Sequence, residues 1–163
     1  MTTILKNHIA GAWIDAQADE ALPLIDPSSE KVIGYLPRTT GNEVRAAIDA
    51  AESAFKAWRI SVPGQRSALL RKTAQLMRQR VDDMAVPITR QTGKPLAQSR
   101  GEIEGSAKYL EWFAEEARRL NGENIRQRGP DQFALTSYEP IGAVGIFTAW
   151  NFPISLACRK LGP

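Results

Sequence analysis

The sequence predicts an α/β fold, and three features along the chain lead to that prediction. The first 40 residues consist of short strand-like segments and turns, and long amphipathic helical stretches follow. Near the end, a continuous apolar run of strand length at 143–147 precedes a helix that begins with a proline. Because such a run is typical of a strand buried on both faces, it predicts one strand of a parallel sheet.

The N-terminal segment predicts two hairpins. Residues 8–14 alternate around Gly11, which supplies the turn of the first hairpin. In the second, 24–30 passes from apolar residues into turn-forming residues, and 32–36 is the returning strand that Pro37 closes.

Thr40 and Glu43 have the spacing of a capping box, which predicts the start of the first helix. Six apolar residues recur on one face of that helix. They are Val44, Ala47, Ile48, Ala51, Phe55 and Trp58.

Prolines and glycines set the expected bounds of the following helices. Pro63 suits the first turn of the second helix, whose predicted apolar stripe is Ala68, Leu69, Leu76, Met77 and Val81. Pro87 is expected to interrupt the next helical stretch, since it lacks an N–H and clashes with the preceding turn. A long helix is expected over 98–120, with Gly122 as its C-terminal cap.

A further hairpin is predicted over 124–128 and 133–138, with its turn at 129–131.

Composition excludes several classes of site and partner. One Cys and one His among 163 residues exclude an internal disulfide framework and a Cys- or His-rich metal site, so no metal is expected. No run of 18 apolar residues is present, and we expect a reduced, cytoplasmic protein without a membrane partner. The net charge is +3, but basic and acidic residues are interleaved, which favours solvated helix faces over nucleic-acid binding. The single Cys158 is expected to be a small buried hydrophobe.

The loop 148–152, after the predicted strand, is the candidate site. Ligands of open α/β sheets lie at the carboxyl ends of strands, and helix N–H groups are expected beside this loop. Asn151 could donate a hydrogen bond there to an anion or a developing oxyanion. The pattern alone favours another use of Asn151, as the N-cap of the helix that begins at Pro153.

Four segments of the chain, in this order, resemble the NAD(P)-dependent aldehyde dehydrogenase family. Residues 26–32 resemble its N-P-x-T-G-E segment, and 92–96 resemble its G-K-P-L turn. Residues 139–145 resemble E-P-[IV]-G-V-x-G, and 148–153 resemble T-P-W-N-F-P. The resemblance covers essentially the whole chain, and it reverses the preference for Asn151 as a cap.

The resemblance implies roles for residues of the candidate loop. Asn151 matches the side chain that stabilises the oxyanion of the reacting aldehyde. Phe147, Thr148, Ala149 and Trp150, together with Asn151, match the residues that line the nicotinamide–ribose side of the pocket for NAD or NADP. Trp150 has an equally weighted alternative use in core packing.

A partial Rossmann-type coenzyme-binding domain is the fold that the resemblance implies. Residues 1–123 would be its N-terminal part, 124–140 an oligomerisation β-hairpin, and 141–163 the first central strand, the loop and the start of the next helix. The family's nucleophilic Cys, general-base Glu and glycine-rich cofactor turn are expected to lie beyond residue 163. The chain alone is therefore expected to be inactive. The oligomerisation hairpin implies a homo-oligomer, a dimer or tetramer. The alternative is a non-catalytic oligomerising or binding fragment.

Residues 111–116 and 159–163 resemble the succinate-semialdehyde dehydrogenase branch of the family. In that branch, an Arg at the position of Arg159 contacts the substrate carboxylate, which implies a semialdehyde as the aldehyde substrate. The planar guanidinium suits this role because it pairs with a carboxylate through two parallel hydrogen bonds. The alternative is that Arg159 pairs with an acidic side chain on the sheet or in the part of the family fold expected beyond residue 163.

Overall fold

The computed structural model of the chain describes residues 4–15, 20–126 and 129–163. Within those ranges it contains six short strands and five helices, in agreement with the α/β prediction. In chain order they are β1 (Asn7–Ile9), β2 (Ala12–Ile14), β3 (Ala21–Asp26), β4 (Lys31–Pro37), α1 (Gly41–Trp58), α2 (Pro63–Gln79), α3 (Val81–Thr92), α4 (Leu96–Glu116), β5 (Asn124–Ile125), β6 (Ala134–Leu135) and α5 (Pro153–Leu161). The strands form three separate antiparallel pairs.

The two N-terminal hairpins are confirmed. Between β1 and β2, Ala10 and Gly11 have φ angles of 52° and 82°, as a type I′ turn requires at both central positions. In the turn after β3, Asp26 accepts hydrogen bonds from the Ser28 hydroxyl at 2.6 Å and the Ser28 backbone N–H at 2.9 Å. These bonds lower the pKa of Asp26 and fix the turn that leads into β4.

The capping box at the start of α1 is also confirmed. The Thr40 hydroxyl accepts from the Glu43 N–H at 3.3 Å, and the Glu43 carboxylate accepts from the Thr40 N–H at 2.7 Å. The apolar face of α1 remains largely uncovered, since Val44, Ile48 and Trp58 are each about half exposed.

The core lies where α2, α3 and α5 pack against α4. Its buried members are Ala74, Met77, Ala85, Ile88, Ile103, Ala107, Leu110 and Cys158. The predicted stripe of α2 is wrong in part, because Ala68 and Leu69 are exposed while Ser67 and Ala74 are buried. The small side chains of Ser67 and Ala74 let α2 approach α4 closely, which turns the larger Leu69 away from the core.

Pro87 does not interrupt its helix, so that prediction is wrong. α3 continues through Pro87 and ends where Gly93 adopts the left-handed conformation, φ 76°. Pro87 and Asp83, the residue whose carbonyl loses its hydrogen-bond partner, are both exposed. Water can therefore solvate that carbonyl, which makes the proline tolerable.

The predicted end of the long helix is wrong as well. α4 ends at Glu116 with Ala117 as its C-cap, well before Gly122. At Gly122 a Cβ atom would lie 1.8 Å from the carbonyl oxygen of Thr136. Glycine is needed there because the two arms of the hairpin approach closely. β5 and β6 confirm that hairpin with shorter strands than expected, and 127–128 of the predicted first arm lie outside the described residues.

Residues 143–147 form no strand, so the prediction of a buried strand is wrong for this chain. All five residues are exposed, and Phe147 is 91% exposed. The physical reason is that no neighbouring strand in the described ranges pairs with this segment. Two apolar grooves, of about 580 and 720 Å³, lie where residues 140–146 face α1 and α2.

None of the described helices combines the length and the apolarity that crossing a bilayer demands.

Gly93 links two of the segments that carry the family resemblance. A Cβ atom at Gly93 would lie 2.9 Å from Cγ of Pro27, and the φ of 76° disfavours any side chain. We expect Gly93→Ala to lower the free energy of unfolding by about 1 to 3 kcal/mol. Chemical denaturation followed by circular dichroism would measure this change.

Gly105→Ala is the matched control, since Gly105 lies inside α4 and a Cβ atom added to it would meet open space. Alanine there is expected to stabilise the helix by roughly 0.5 to 1 kcal/mol. Equal stability of the Gly93→Ala variant and the unsubstituted chain would contradict the argument from strain.

Candidate active site

Asn151 lies in the turn immediately before α5, with its side chain exposed. The N-cap of α5 is Phe152, which offers no side-chain acceptor. Because Asn151 precedes the cap by one residue, the interpretation of Asn151 as the helix cap is wrong. The Asn151 side-chain amide makes no hydrogen bond within the described ranges, so its N–H groups are free to donate to a ligand.

The first backbone N–H groups of α5 donate hydrogen bonds to a carboxylate from another helix. Glu102 of α4 accepts from the N–H of Ile154 at 3.0 Å and from the N–H of Ser155 at 3.1 Å. Pro153 has no N–H to satisfy. The helix N–H groups expected beside the loop are present, but Glu102 accepts from them and occupies the positive end of the helix dipole.

Lys94 completes this arrangement from the turn between α3 and α4. Its ammonium group donates to Glu102 Oε2 at 2.5 Å and to the backbone oxygen of Asn151 at 2.8 Å. The same nitrogen lies 4.2 Å from the ring centroid of Phe152, which is a cation–π contact. The side chains of Lys94 and Glu102 are only 12% and 2% exposed. Removing one member of such a buried pair typically costs about 3 to 5 kcal/mol, since the other charge is left unpaired.

The local sequence explains why these two side chains meet. Gly93 and Pro95 fix the backbone on either side of Lys94, with a left-handed residue before it and an extended one after it. Glu102 lies on the buried face of α4 beside Ser106, whose hydroxyl donates to the Glu102 backbone oxygen at 2.7 Å. Sequence reasoning missed Lys94 and Glu102 as members of the site. The available signal was a carboxylate at helical spacing within a buried stripe, where an unpaired charge is costly.

The residues proposed to contact a nicotinamide cofactor form one exposed segment. Phe147 is 91% and Trp150 is 76% exposed, so Trp150 does not pack in the core of the described residues. Thr148 and Ala149 are exposed, and 147–150 make no hydrogen bond to the rest of the described chain. Exposed aromatic faces and unpaired backbone groups fit a planar ring with a hydroxylated sugar. A phosphate would find no free donor among the two amides that Glu102 occupies.

Arg159 lies in the last turn of α5, about 9 Å along the helix axis from Pro153. Its guanidinium carbon is 5.8 Å from the ring centroid of Tyr109. Arg159 is exposed and forms no ion pair with any residue that the structure describes. Within those residues the alternative of an acidic protein partner therefore finds no support.

Cys158 is confirmed as a small buried hydrophobe. It belongs to the core cluster, and burial raises the pKa of its thiol, with the charge of Glu102 acting in the same direction. The thiol therefore stays protonated near pH 7, and the one Cys of the sequence is unsuited to nucleophilic attack. The described residues contain no group of His, Cys, Asp and Glu that could hold a metal ion.

Comparison with known proteins gives consistent matches. The sequence model of the aldehyde dehydrogenase family matches residues 13–163. Glutarate-semialdehyde dehydrogenase of Pseudomonas putida is 41% identical over 158 residues, covering 97% of this chain and 33% of that protein. Succinate-semialdehyde dehydrogenase [NADP(+)] of Escherichia coli is 40% identical over 155 residues, covering 95% and 32% of the two chains.

A solved structure, the NAD-dependent aldehyde dehydrogenase from Sinorhizobium meliloti, matches with a TM-score of 0.90 at 34% identity. The match covers 97% of this chain and 32% of that chain. The chain thus spans about a third of the length of the curated relatives that it matches.

Proposed function

The chain belongs to the aldehyde dehydrogenase family, and from that premise we propose that it supplies the N-terminal part of an NAD(P)-dependent enzyme. The reaction is oxidation of an aldehyde, with a semialdehyde as the candidate substrate, to a carboxylic acid. The observation that carries the proposal is the exposed, unpaired amide of Asn151 at the start of α5. The names of the relatives support it, since they specify semialdehydes, NADP and NAD.

Asn151 is proposed to stabilise negative charge on the substrate oxygen. In the chemistry that the family resemblance implies, a Cys thiolate adds to the aldehyde carbon, and the carbonyl oxygen becomes an oxyanion. The Asn151 Nδ2–H group donates to that oxygen, and its contribution is largest when the charge develops. A bound nicotinamide would supply the hydride acceptor, and a Glu-activated water would hydrolyse the resulting thioester to release the acid. Neither that Cys nor that Glu is assigned within this chain.

The exposed segment before Asn151 is proposed to form part of the cofactor pocket. Phe147, Thr148, Ala149 and Trp150 contact the nicotinamide–ribose side, where their exposed faces are available. The proposed architecture is a partial Rossmann-type domain over 1–123, an oligomerisation hairpin over 124–140, and the central strand, loop and helix start over 141–163. In that domain, 143–147 pairs with neighbouring strands, which would cover the apolar grooves beside it.

The 163-residue chain by itself is expected to show no aldehyde oxidation. The reason is that its one thiol, at Cys158, is buried and protonated. The measurement is NAD(P)H absorbance with purified chain and a panel of neutral and carboxylate-bearing aldehydes. Cys158→Ser is the control and should leave the trace unchanged. Turnover that Cys158→Ser abolishes would contradict both the inactivity and the assignment of Cys158 to the core.

A non-catalytic oligomerising fragment is the second candidate function. Phe133, Leu135 and Tyr138 are large exposed side chains on the hairpin that contains β5 and β6. Its short strands leave unpaired edges, which favour pairing between chains as a homodimer or homotetramer. Recovery of aldehyde oxidation when the rest of the family fold is added in trans would favour the enzymatic proposal over this one.

A further inference from the structure

The first backbone N–H groups of α5 find hydrogen-bond acceptors without a capping side chain from the preceding loop. Pro153 has no N–H, and the N–H of Leu156 donates to the Phe152 oxygen at 3.0 Å. The two donors between them, Ile154 and Ser155, bond to Glu102, which is 52 residues from Ile154 in sequence. The position of this helix end is therefore set by α4 and not by the loop that precedes it.

The backbone of Asn151 is contacted by the same group of residues. Lys94 donates to its backbone oxygen at 2.8 Å, and this is the one hydrogen bond that reaches Asn151 from elsewhere in the described ranges. The ammonium also contacts the ring of the next residue, Phe152, at 4.2 Å. Preceding residues 147–150 make no hydrogen bond that could hold the loop. The buried side of the loop is thus fixed while its side-chain amide faces outward.

We propose that Lys94 and Glu102 are positioning residues for Asn151. Glu102 fixes the first donors of α5, Lys94 fixes the carbonyl of Asn151, and the 2.5 Å ion pair couples the two restraints. Together they hold the Asn151 amide at one place relative to α5. The inference rests on the proposed role of Asn151 as oxyanion donor. Neither Lys94 nor Glu102 touches substrate, since both side chains are buried.

Amide hydrogen exchange on the intact chain tests the positioning without any need for activity. In Glu102→Ala and Lys94→Met, the amides of Ile154 and Ser155 are expected to exchange about tenfold faster or more. The amide of Leu110 in the core of α4 reports the accompanying loss of global stability, and the amides of Ile154 and Ser155 should accelerate more than it does. Lys72→Met, which removes an exposed cation from α2, is the matched control and should change neither.

Two results of the exchange measurement would overturn the inference. Unchanged exchange at Ile154 and Ser155 would show that the pair does not order the start of α5. Equal acceleration at Leu110 would show that the pair supports the whole helical core and not this loop in particular.

A double-mutant cycle in an active enzyme that contains this chain tests the link to Asn151. Lys94→Met is expected to lower kcat about tenfold with an unchanged cofactor KM, because small displacements of a catalytic group are costly. Lys94→Arg, which keeps the charge, should restore most of that loss. In an Asn151→Ala background, Lys94→Met should cost less than about twofold, since both changes act through one side chain.

The outcomes separate this inference from the function on which it rests. A full tenfold loss in the Asn151→Ala background would overturn the positioning role while leaving the role of Asn151 intact. A loss under tenfold for Asn151→Ala alone, with accelerated exchange at Ile154, would overturn the oxyanion role while leaving the Lys94–Glu102 restraint intact.

Discussion

Asn151→Ala, in an active enzyme that contains this chain, is expected to lower kcat about a hundred- to a thousandfold, the range seen for single oxyanion donors. Cofactor affinity should change little, because the amide interacts with charge that develops on the substrate during the reaction. The exposed amide is free in the structure, so its removal leaves no buried group unsatisfied. Steady-state kinetics with a separate cofactor titration would measure both effects.

Asn151→Asp tests whether the side-chain N–H groups of Asn151 are themselves needed. Asp matches Asn in size and keeps the backbone oxygen that Lys94 contacts, so a role in shaping the turn alone predicts nearly full activity for this variant. An oxyanion role predicts a loss at least as large as for Asn151→Ala, because a carboxylate accepts hydrogen bonds and repels the developing charge. Activity above about a tenth of the original in Asn151→Asp would contradict the oxyanion assignment.

Elements whose determinants lie close together in sequence are predicted well. The turn at Gly11, the capping box at Thr40 and the helix start at Pro63 each depend on residues within one turn of one another. The role of Gly122 is not predictable in this way, because its constraint is the backbone of Thr136 on the opposite arm of the hairpin. The apolar run 143–147 has the composition of a buried strand, but a strand also needs partners, and these are absent from the described ranges.

The candidate site likewise contains one residue that a local motif predicts and two that depend on distant parts of the chain. A short motif is enough to find Asn151, and its exposed, unpaired side chain is compatible with the role that the motif implies. Lys94 and Glu102 cannot be found from a short motif. The hydrogen bond from Lys94 to Asn151 joins residues 57 positions apart, and the one from Ile154 to Glu102 joins residues 52 positions apart. Periodicity could mark Glu102 as a buried carboxylate, but it could not show that the carboxylate caps a helix from another part of the chain.

Arg159→Met is expected to raise KM for a semialdehyde that bears a carboxylate by roughly ten- to a hundredfold, equivalent to a charged hydrogen bond of about 1.5 to 3 kcal/mol. A neutral aldehyde of similar length should be nearly unaffected. Methionine keeps an unbranched, flexible side chain but removes the guanidinium, and with it the cation–π contact to Tyr109. Within the described residues Arg159 is exposed without an ion-pair partner, so its charge is available to a substrate.

Lys160→Met is the matched control, since it removes the same charge from the next residue of α5. Successive residues of a helix point about 100° apart, so Lys160 faces a different direction from Arg159. Lys160→Met should therefore leave the preference for the carboxylate-bearing substrate unchanged. Equal losses on both substrates in Arg159→Met would assign Arg159 to the fold, and equal selectivity changes in the two variants would indicate a diffuse electrostatic effect. A loss confined to Arg159 and to the carboxylate substrate requires a direct contact, because only a fixed pairing distinguishes two neighbouring cations.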